Sequence, residues 1–516
     1  MKPIRLVAGV FTVGLWTMLS RVLGLARDII ILAMLGTGPV YEAFIVAFRL
    51  PNMFRRFFAE GAFNMAFVPI FSKKLEAEED AGRFMNEAFS GLATILILLT
   101  LVAQAVMPWL ILAMASGFKG ETEYALAVEY GRIAIPYILF ISLAALLSGV
   151  LNASGRFTES AAAPVVLNVF FIIALLASPY LGLDIGRLLI WTVPLAGVAQ
   201  LALLWHAAVK NGFPVKLIRP RITPDLKRLV RVAVPAAMAG GVVQINLLVG
   251  QQVASYFDRA VGWLFTADRL YQLPLGVVGI AIGVVLLPDL SRRLKAADHA
   301  GSRAAYSRAG ELALALTLPC AVALVVIPLP IVSVLFERGA ARPEDSLAIA
   351  QAVAVYGMGL PAFVLQKVLQ PLYFAREDTR RPFNYALIAM LANAVVAIGL
   401  APLIGWIACA LATTVAGWVM LANLILGARR LGEVARFDDR FSRRAPRILL
   451  ASLLMGAALW PAKLVLAPWL GADYIRYLAL AILVLGGGAA YFLFGQLIGA
   501  FRLSDFTGAV KRRRQG

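Results

Sequence analysis

Residues 8–35 read AGVFTVGLWTMLSRVLGLARDIIILAML. The run is long enough to cross a hydrocarbon core of about 30 Å as a helix, yet it carries Arg21 at its middle and Arg27 and Asp28 beyond it. The next apolar run, 43–71, follows Glu42 directly and holds Arg49, Arg55, Arg56 and Glu60. A charge at the bilayer centre costs roughly 2.5–3.5 kcal/mol even on a lenient insertion scale, so these groups need water or a partner. One of them could snorkel to the interface from a helix end. A cluster with excess positive charge points instead to a water-filled cavity that receives something anionic.

The rest of the chain sets the class. It is 61% hydrophobic with a mean hydropathy of +0.82. Backbone groups in lipid are satisfied only by helices or closed barrels, and the apolar runs lack the two-residue alternation of a barrel. The expected fold is an all-α polytopic membrane protein with about fourteen transmembrane helices. The spans are read at 8–35, 43–71, 86–114, 124–151, 160–179, 188–208, 232–256, 262–290, 309–336, 347–374, 383–401, 406–428, 448–466 and 475–500. The second is the weakest by hydropathy, because its charges and Pro51 dilute it.

Charge placement orients the spans. With the N-terminus inside, cytoplasmic segments hold 33 Lys and Arg, including seven in 209–231 and seven in 429–447. The outer loops hold five: Lys119, Arg187, Arg259, Arg338 and Arg342. The positive-inside rule predicts this asymmetry, with both termini cytoplasmic. The net charge of +19 is mostly this bias, plus adhesion to anionic membrane lipids. Nucleic-acid binding is the poorer reading of the same charge. The first apolar run is too long and too charged for a signal-peptide core, and it lacks a small-residue cleavage site. Cys320 and Cys409 fall within spans, against a disulfide framework. His206 and His299 are too scattered for a metal site. Nothing resembles a nucleophile motif, a P-loop or a cytosolic catalytic domain, so no enzyme, cofactor or nucleotide-driven pump is expected.

An internal duplication divides the spans. Ala47-Phe48-Arg49-Leu50 resembles Ala267-Asp268-Arg269-Leu270 at an offset of 220. Pro69-Ile70-Phe71-Ser72-Lys73-Lys74 matches Pro288-Asp289-Leu290-Ser291-Arg292-Arg293 at an offset of 219. Asn168 and Asn393 follow the fourth and tenth spans at comparable depth. Two six-helix lobes are expected, 1–222 and 223–442, pseudo-symmetric and in the same orientation around a central cavity, as in parallel-repeat transporters. The segment 443–516 adds two further helices and a basic cytoplasmic tail.

In the first span Arg21 and Asp28 share a helical face, with Arg27 about a third of a turn away. In the second, Glu42, Arg49 and Arg56 recur every seven residues. Arg269 repeats Arg49 in the other lobe. Structural ion pairs, such as Arg27 or Arg56 with Asp28 or Glu60, are the bland alternative. Stoichiometry argues for more: Arg21, Arg27, Arg49, Arg55, Arg56 and Arg269 face Asp28, Glu60 and Asp268. Surplus charge is poor structural glue, and arginine's planar fork suits phosphate oxygens. An anionic headgroup, a diphosphate above all, would complete such a site. Lys367, with Gln366 and Gln370, either extends the cavity or snorkels. Gln244, Asn246, Gln251 and Gln252 read as helix–helix hydrogen bonders.

Several motifs carry a family resemblance. Ser20-Arg21-Val22-Leu23-Gly24-Leu25-Ala26-Arg27-Asp28 resembles the opening signature of MurJ/MviN-type lipid II flippases. These belong to the multidrug/oligosaccharidyl-lipid/polysaccharide exporter superfamily. Phe48-Arg49-Leu50-Pro51-Asn52-Met53-Phe54-Arg55-Arg56, Ala59-Glu60-Gly61-Ala62-Phe63 and Asp268-Arg269-Leu270 with Pro274-Leu275-Gly276-Val277 are similar to that family too. The resemblance implies a bacterial inner-membrane flippase for lipid II, the polyprenyl diphosphate-linked disaccharide-pentapeptide, with cell-wall synthesis proteins as further partners. It implies that Arg21, Arg27, Arg55 and Arg269 bind substrate, with Asp28 paired to them and Glu42 and Arg49 at the family's charged positions. It also implies that the last two spans form a groove for the lipid tail. Gln272 stands where some relatives have Glu. The seventh, eleventh and twelfth spans lack the carboxylates of a sodium site found in some relatives, which argues against sodium coupling there. The rivals are a flippase for another polyprenyl-linked glycan, a cation-coupled multidrug exporter and a non-transporting scaffold. The exporter predicts an acidic or apolar cavity, the opposite of the charge bias here.

Overall fold

The computed structural model describes residues 3–55, 62–77, 79–296, 298–376, 378–432 and 435–501, with backbone alone at 3–11, 62–65, 234–247, 277–285, 287–288 and 294–295. Its regular elements are helical: α1 (Pro3–Leu35), α2 (Pro39–Arg55), α3 (Ala62–Glu76), α4 (Ala81–Ala105), α5 (Met107–Met114), α6 (Thr122–Ala134), α7 (Tyr137–Ala153), α8 (Thr158–Leu181), α9 (Ile185–Lys210), α10 (Pro224–Ala254), α11 (Ala260–Lys295), α12 (His299–Val326), α13 (Pro328–Phe336), α14 (Pro343–Phe374), α15 (Arg380–Ile404), α16 (Ile407–Ala428), α17 (Asp439–Leu470) and α18 (Ile475–Leu497), with short 3₁₀ turns at Ser116–Phe118 and Arg429–Leu431. Among the described residues, ten helical segments are long and apolar enough to cross a membrane.

Helix boundaries follow local chemistry. Asp80, Asp184, Asp298 and Asp438 each accept an N–H of the following first turn, starting α4, α9, α12 and α17. Thr223 does the same for α10, with Pro224 at the first helical position, where its missing donor costs nothing. Gly36 ends α1 at φ 66°, and a Cβ there would also lie 2.8 Å from the Ala340 carbonyl oxygen. Only glycine fits both demands.

The chain forms two compact units, Met1–Gly262 with Gly339–Ala341, and Trp263–Arg338 with Arg342–Gly516. In the first, α1 packs on α8, α8 and α7 on α9, and α2 on α6. α10 packs on α3 and α4, so the contact grouping ends later in the chain than the sequence repeat. A repeat marks where a duplication falls, whereas contacts mark which helices touch. Gln200 joins three helices here: it accepts from the Tyr137 hydroxyl at 3.1 Å and donates to the Ala163 carbonyl at 2.8 Å. In the second unit, α12 packs on α14, α14 on α16 and α16 on α15, while α17 lies against α12 with α18 packed on it. Tyr373 reaches the Leu424 carbonyl at 2.6 Å, and Tyr491 the Ala315 carbonyl at 2.7 Å. Such interhelical bonds matter where lipid offers no hydrophobic drive between helices.

Burial runs opposite to that of a soluble protein. Val395 on α15 and Leu485 on α18 are exposed at 71% and 73%, within apolar faces far larger than a soluble surface carries. α2 is the exception. Tyr41 to Phe48, Leu50 and Pro51 are all buried, so this helix is enclosed by protein and needs no lipid-facing stripe. That explains its weak hydropathy.

Candidate substrate site

The charged residues of α1 and α2 occupy three different settings. The first is built around Arg27, which is buried with Asp28. Nε and Nη2 of Arg27 donate to Oδ1 of Asp28 at 2.9 and 2.6 Å, and Nη1 donates to Oδ1 of Asn168 at 3.0 Å. Asn168 is held in turn, donating to the Ser20 carbonyl at 2.9 Å. The guanidinium lies 5.3 Å from the centre of the Phe171 ring, which also meets Phe44 and Phe48 of α2 edge-on. Arg27 is thus a positioned, neutralised charge that ties α1 to α8. The ion-pair alternative names the right partner, although the pair closes between chain neighbours. Arg21, six residues earlier on α1, is part-buried.

The second setting is the middle and C-terminal part of α2. Nη1 of Arg49 donates to Oε1 of Gln251 on α10 at 2.6 Å, and Gln251 donates onward to the Met114 carbonyl at 3.2 Å. Its neighbour Gln252 accepts from the Ser116 N–H and donates to the Leu112 carbonyl. These two glutamines bond between helices, and one of them also holds Arg49. The side chains of Gln244 and Asn246 lie outside the described residues, as do Arg56 and Glu60. Arg55 donates to Oδ1 of Asn52 at 3.3 Å within its own turn.

Glu42 is in the third setting, two turns from Arg49 and roughly 10 Å away along the axis. It is 2% exposed and accepts the Gly262 N–H at 3.2 Å. Its carboxylate, with those of Glu123 and Asp258, forms a group with oxygens within 4.8 Å of one another. Glu42 is therefore gathered with acids at the start of α2, and not with the arginines of the same helix. Spacing on the helix could not separate the two ends, because both lie on one stripe.

Arg269 belongs to the second unit. Its guanidinium stacks 4.5 Å over the Phe265 ring, one turn back on α11. Gln272 donates to Asp268, taking up that carboxylate within the helix. Gln366 is occupied by the Gly417 carbonyl at 2.7 Å, whereas Lys367 is exposed. Asn393 is 1% exposed with a buried, unpartnered Oδ1. The residues that sequence reasoning missed are the supports: Phe171, Phe265 and the role of Asn168. Asn168 left a signal, as a lone amide in an apolar span. The aromatic rings left none, since Phe is ordinary in such helices.

Comparison with known proteins places the chain. The family described as "Lipid II flippase MurJ" matches residues 31–480. The chain is 43% identical to "Probable lipid II flippase MurJ" of Rhizobium meliloti (strain 1021), over 97% of this chain and 95% of that protein. It is 36% identical to "Lipid II flippase MurJ" of Burkholderia cenocepacia, over 83% and 84%. A solved structure described as lipid II flippase MurJ in an inward closed conformation aligns with a TM-score of 0.79 at 25% identity, covering 94% of this chain and 98% of that one. An inward-facing multidrug transporter of the MATE family, in the MOP superfamily, shares the fold at a TM-score of 0.68 and 14% identity, over 80% and 95%. Matched along nearly its whole length, the chain belongs to the MurJ family of lipid II flippases.

Proposed function

We propose that this protein moves lipid II, the undecaprenyl diphosphate-linked peptidoglycan precursor, from the inner to the outer leaflet of a bacterial inner membrane by alternating access. Membership of the MurJ family over most of the chain carries this reading. In it, fourteen helices span the membrane with both termini cytoplasmic, and the two six-helix repeats, 1–222 and 223–442, move as lobes about a central cavity. The helices of 443–516 guide the polyprenyl tail, which stays in lipid. No covalent step is required.

Arg21, Arg27, Asp28, Glu42, Arg49, Arg55 and Arg269 are the proposed substrate-site residues. Arginine chemistry supports the headgroup assignment, because a planar fork matches diphosphate oxygens. Arg27, neutralised by Asp28, fixes the shape of the site. The other arginines supply the surplus charge that the diphosphate neutralises, and that neutralisation favours closure of the lobes. Closure must be stabilised differently from the open state, since a ligand binding both equally shifts nothing. The membrane potential resets the empty carrier, at about 2.3 kcal/mol per charge per 100 mV.

The test is outer-leaflet exposure of lipid II in cells depleted of their own flippase. The parent chain restores exposure, and Arg27→Ala and Arg269→Ala lose it at matched membrane levels. Variants as active as the parent would make the arginines structural. A parent that inserts yet exposes no lipid II would move the substrate to another polyprenyl-linked glycan.

A further inference from the structure

A second pair of arginines stands apart from those already described. Arg338 follows α13, and Arg476 is the second residue of α18. Their guanidinium carbons lie 5.6 and 5.4 Å from the centre of one ring, that of Tyr477. Arg338 donates through Nη2 to the Val334 and Leu335 carbonyls at 3.0 and 2.7 Å, and Arg476 through Nη1 to the Glu337 carbonyl at 3.2 Å. Capping the last carbonyls of α13 is a sound structural role for both. It does not account for the rest of their chemistry. Each guanidinium has five donors, and the Nε of each is buried without an acceptor. Glu337 and Asp473 are the nearest acids along the chain. Neither makes an ion pair with either arginine, so two like charges share one ring without a carboxylate between them.

The surroundings are those of a lipid headgroup. Arg476 is in the first turn of α18, where the helix dipole favours an anion, although the N–H groups of Ile475 and Arg476 are themselves taken by the Asp473 and Ala472 carbonyls at 2.7 and 3.1 Å. The residue before that helix, Tyr474, holds φ 65° and gives it no side-chain cap. Tyr477 beside the pair, Tyr474 just before α18 and Trp469 near the end of α17 are all exposed, as aromatic side chains are at membrane interfaces. Further along α18, Leu478, Ile482 and Leu485 expose an apolar face suited to an acyl or prenyl chain.

We infer that Arg338 and Arg476, with Tyr477, form a binding site for a lipid phosphate at the end of α18 that the charge bias assigns to the outer leaflet. This rests on the orientation in the proposed function. A phosphate oxygen accepts from Nη1 of Arg338 and Nη2 of Arg476, the terminal guanidinium nitrogens that make no hydrogen bond among the described residues, and neutralises the pair, while the chain lies along α18. Two lipids share this chemistry, a phosphodiester phospholipid and a polyprenyl diphosphate on its way out.

The experiment is photolabelling of the purified full chain in nanodiscs. The probes are phosphatidylglycerol, a polyprenyl diphosphate, and the phosphate-free diacylglycerol and polyprenol with the same photogroup. Adducts are mapped to 337–342 and 471–480 by peptide mass spectrometry. The phosphate-bearing probes label these segments, and Arg338→Gln/Arg476→Gln lowers labelling by about tenfold or more, the factor expected for one lost charge-assisted hydrogen bond. Arg338→Lys/Arg476→Lys retains charge without the fork and gives an intermediate value. It also serves if thermal unfolding shows the Gln variant to be misfolded. Labelling by phosphatidylglycerol makes this an annular lipid site, and labelling by the diphosphate alone makes it an exit site. Equal labelling by phosphate-free probes, or by all probes in both double variants, overturns the inference. Because the assay involves no transport, a labelled parent that fails to expose lipid II would sink the proposed function and leave this site standing.

Discussion

Arg49 on α2 donates to Gln251 on α10 at 2.6 Å, and through Gln251 it is tied to the Met114 carbonyl at the end of α5. One amide therefore holds an arginine of the proposed substrate site in place and joins two other helices. The two duties separate by mutation. Gln251→Leu strips a buried acceptor and donor at once, with an expected cost of about 1–3 kcal/mol in thermal unfolding. Arg49→Gln keeps a donor but removes the charge, and is expected to hold its fold while lipid II exposure falls. Equal loss of stability in both variants would assign Arg49 to the scaffold.

The all-helical class was legible in the apolar runs because lipid demands length and low charge of every helix that faces it. Helix breaks were not. The expected span 86–114 is divided into α4 and α5 at Val106, and 309–336 into α12 and α13 at Ile327, in both cases just before a proline-bearing first turn. Yet Pro51, Pro194 and Pro361 lie inside continuous helices. Whether a proline breaks a helix depends on what its neighbours do for the freed carbonyl, and tertiary packing decides that.

Asp28 and Asn168 divide the support of Arg27, and their variants should rank. Asp28→Asn leaves a buried guanidinium without its counter-charge, a loss of about 3–5 kcal/mol for a broken buried pair. Asn168→Ala removes hydrogen bonds but no charge, so its effect is smaller. Arg27→Met/Asp28→Leu, which removes both charges, is expected to be more stable than Asp28→Asn alone. A double-mutant cycle by thermal unfolding in detergent checks the order. Additive effects would show that the two charges do not interact.

The packing of the candidate site was half legible for a related reason. Arginines stand out in an apolar run, and their excess over acids can be counted. Their partners cannot, because Asn168 is 141 residues from Arg27 and Gln251 is 202 from Arg49. Helical spacing placed Glu42 with Arg49, whereas packing draws Glu42 to Gly262, Glu123 and Asp258.

Asp438 offers a test of pH dependence outside the spans. Burial alone would raise its carboxyl, but the Phe441 N–H, at 2.8 Å, and Arg308 outweigh that and hold it below its ordinary value. A depressed carboxylate stabilises the fold above its unfolded pKa, and that contribution fades as pH falls through the folded one. Asp438→Ala, which also loses the α17 cap, is expected to cost about 0.5–2 kcal/mol at neutral pH. The gap between parent and variant should narrow in acid below the usual carboxylate range. A gap independent of pH would leave only packing as its cause.

Two glycines give opposite expectations from one substitution. At Gly117 a Cβ would lie 2.3 Å from the Ser255 carbonyl oxygen and 2.5 Å from the Tyr256 nitrogen. Both are backbone atoms at the end of α10 and cannot rotate aside. The Gly117 N–H also donates to the Ser255 hydroxyl at 3.0 Å, so the close approach is part of how the loop is held. Gly117→Ala must push this loop off α10 and lower the unfolding temperature. At Gly399, within α15, nothing lies within 4 Å of the added carbon. There alanine restricts the unfolded backbone and suits the helix, a gain of about 0.5–1 kcal/mol. Thermal unfolding of the two variants beside the parent checks the contrast. A Gly117→Ala protein as stable as the parent would mean that the loop and α10 are not in contact at this point.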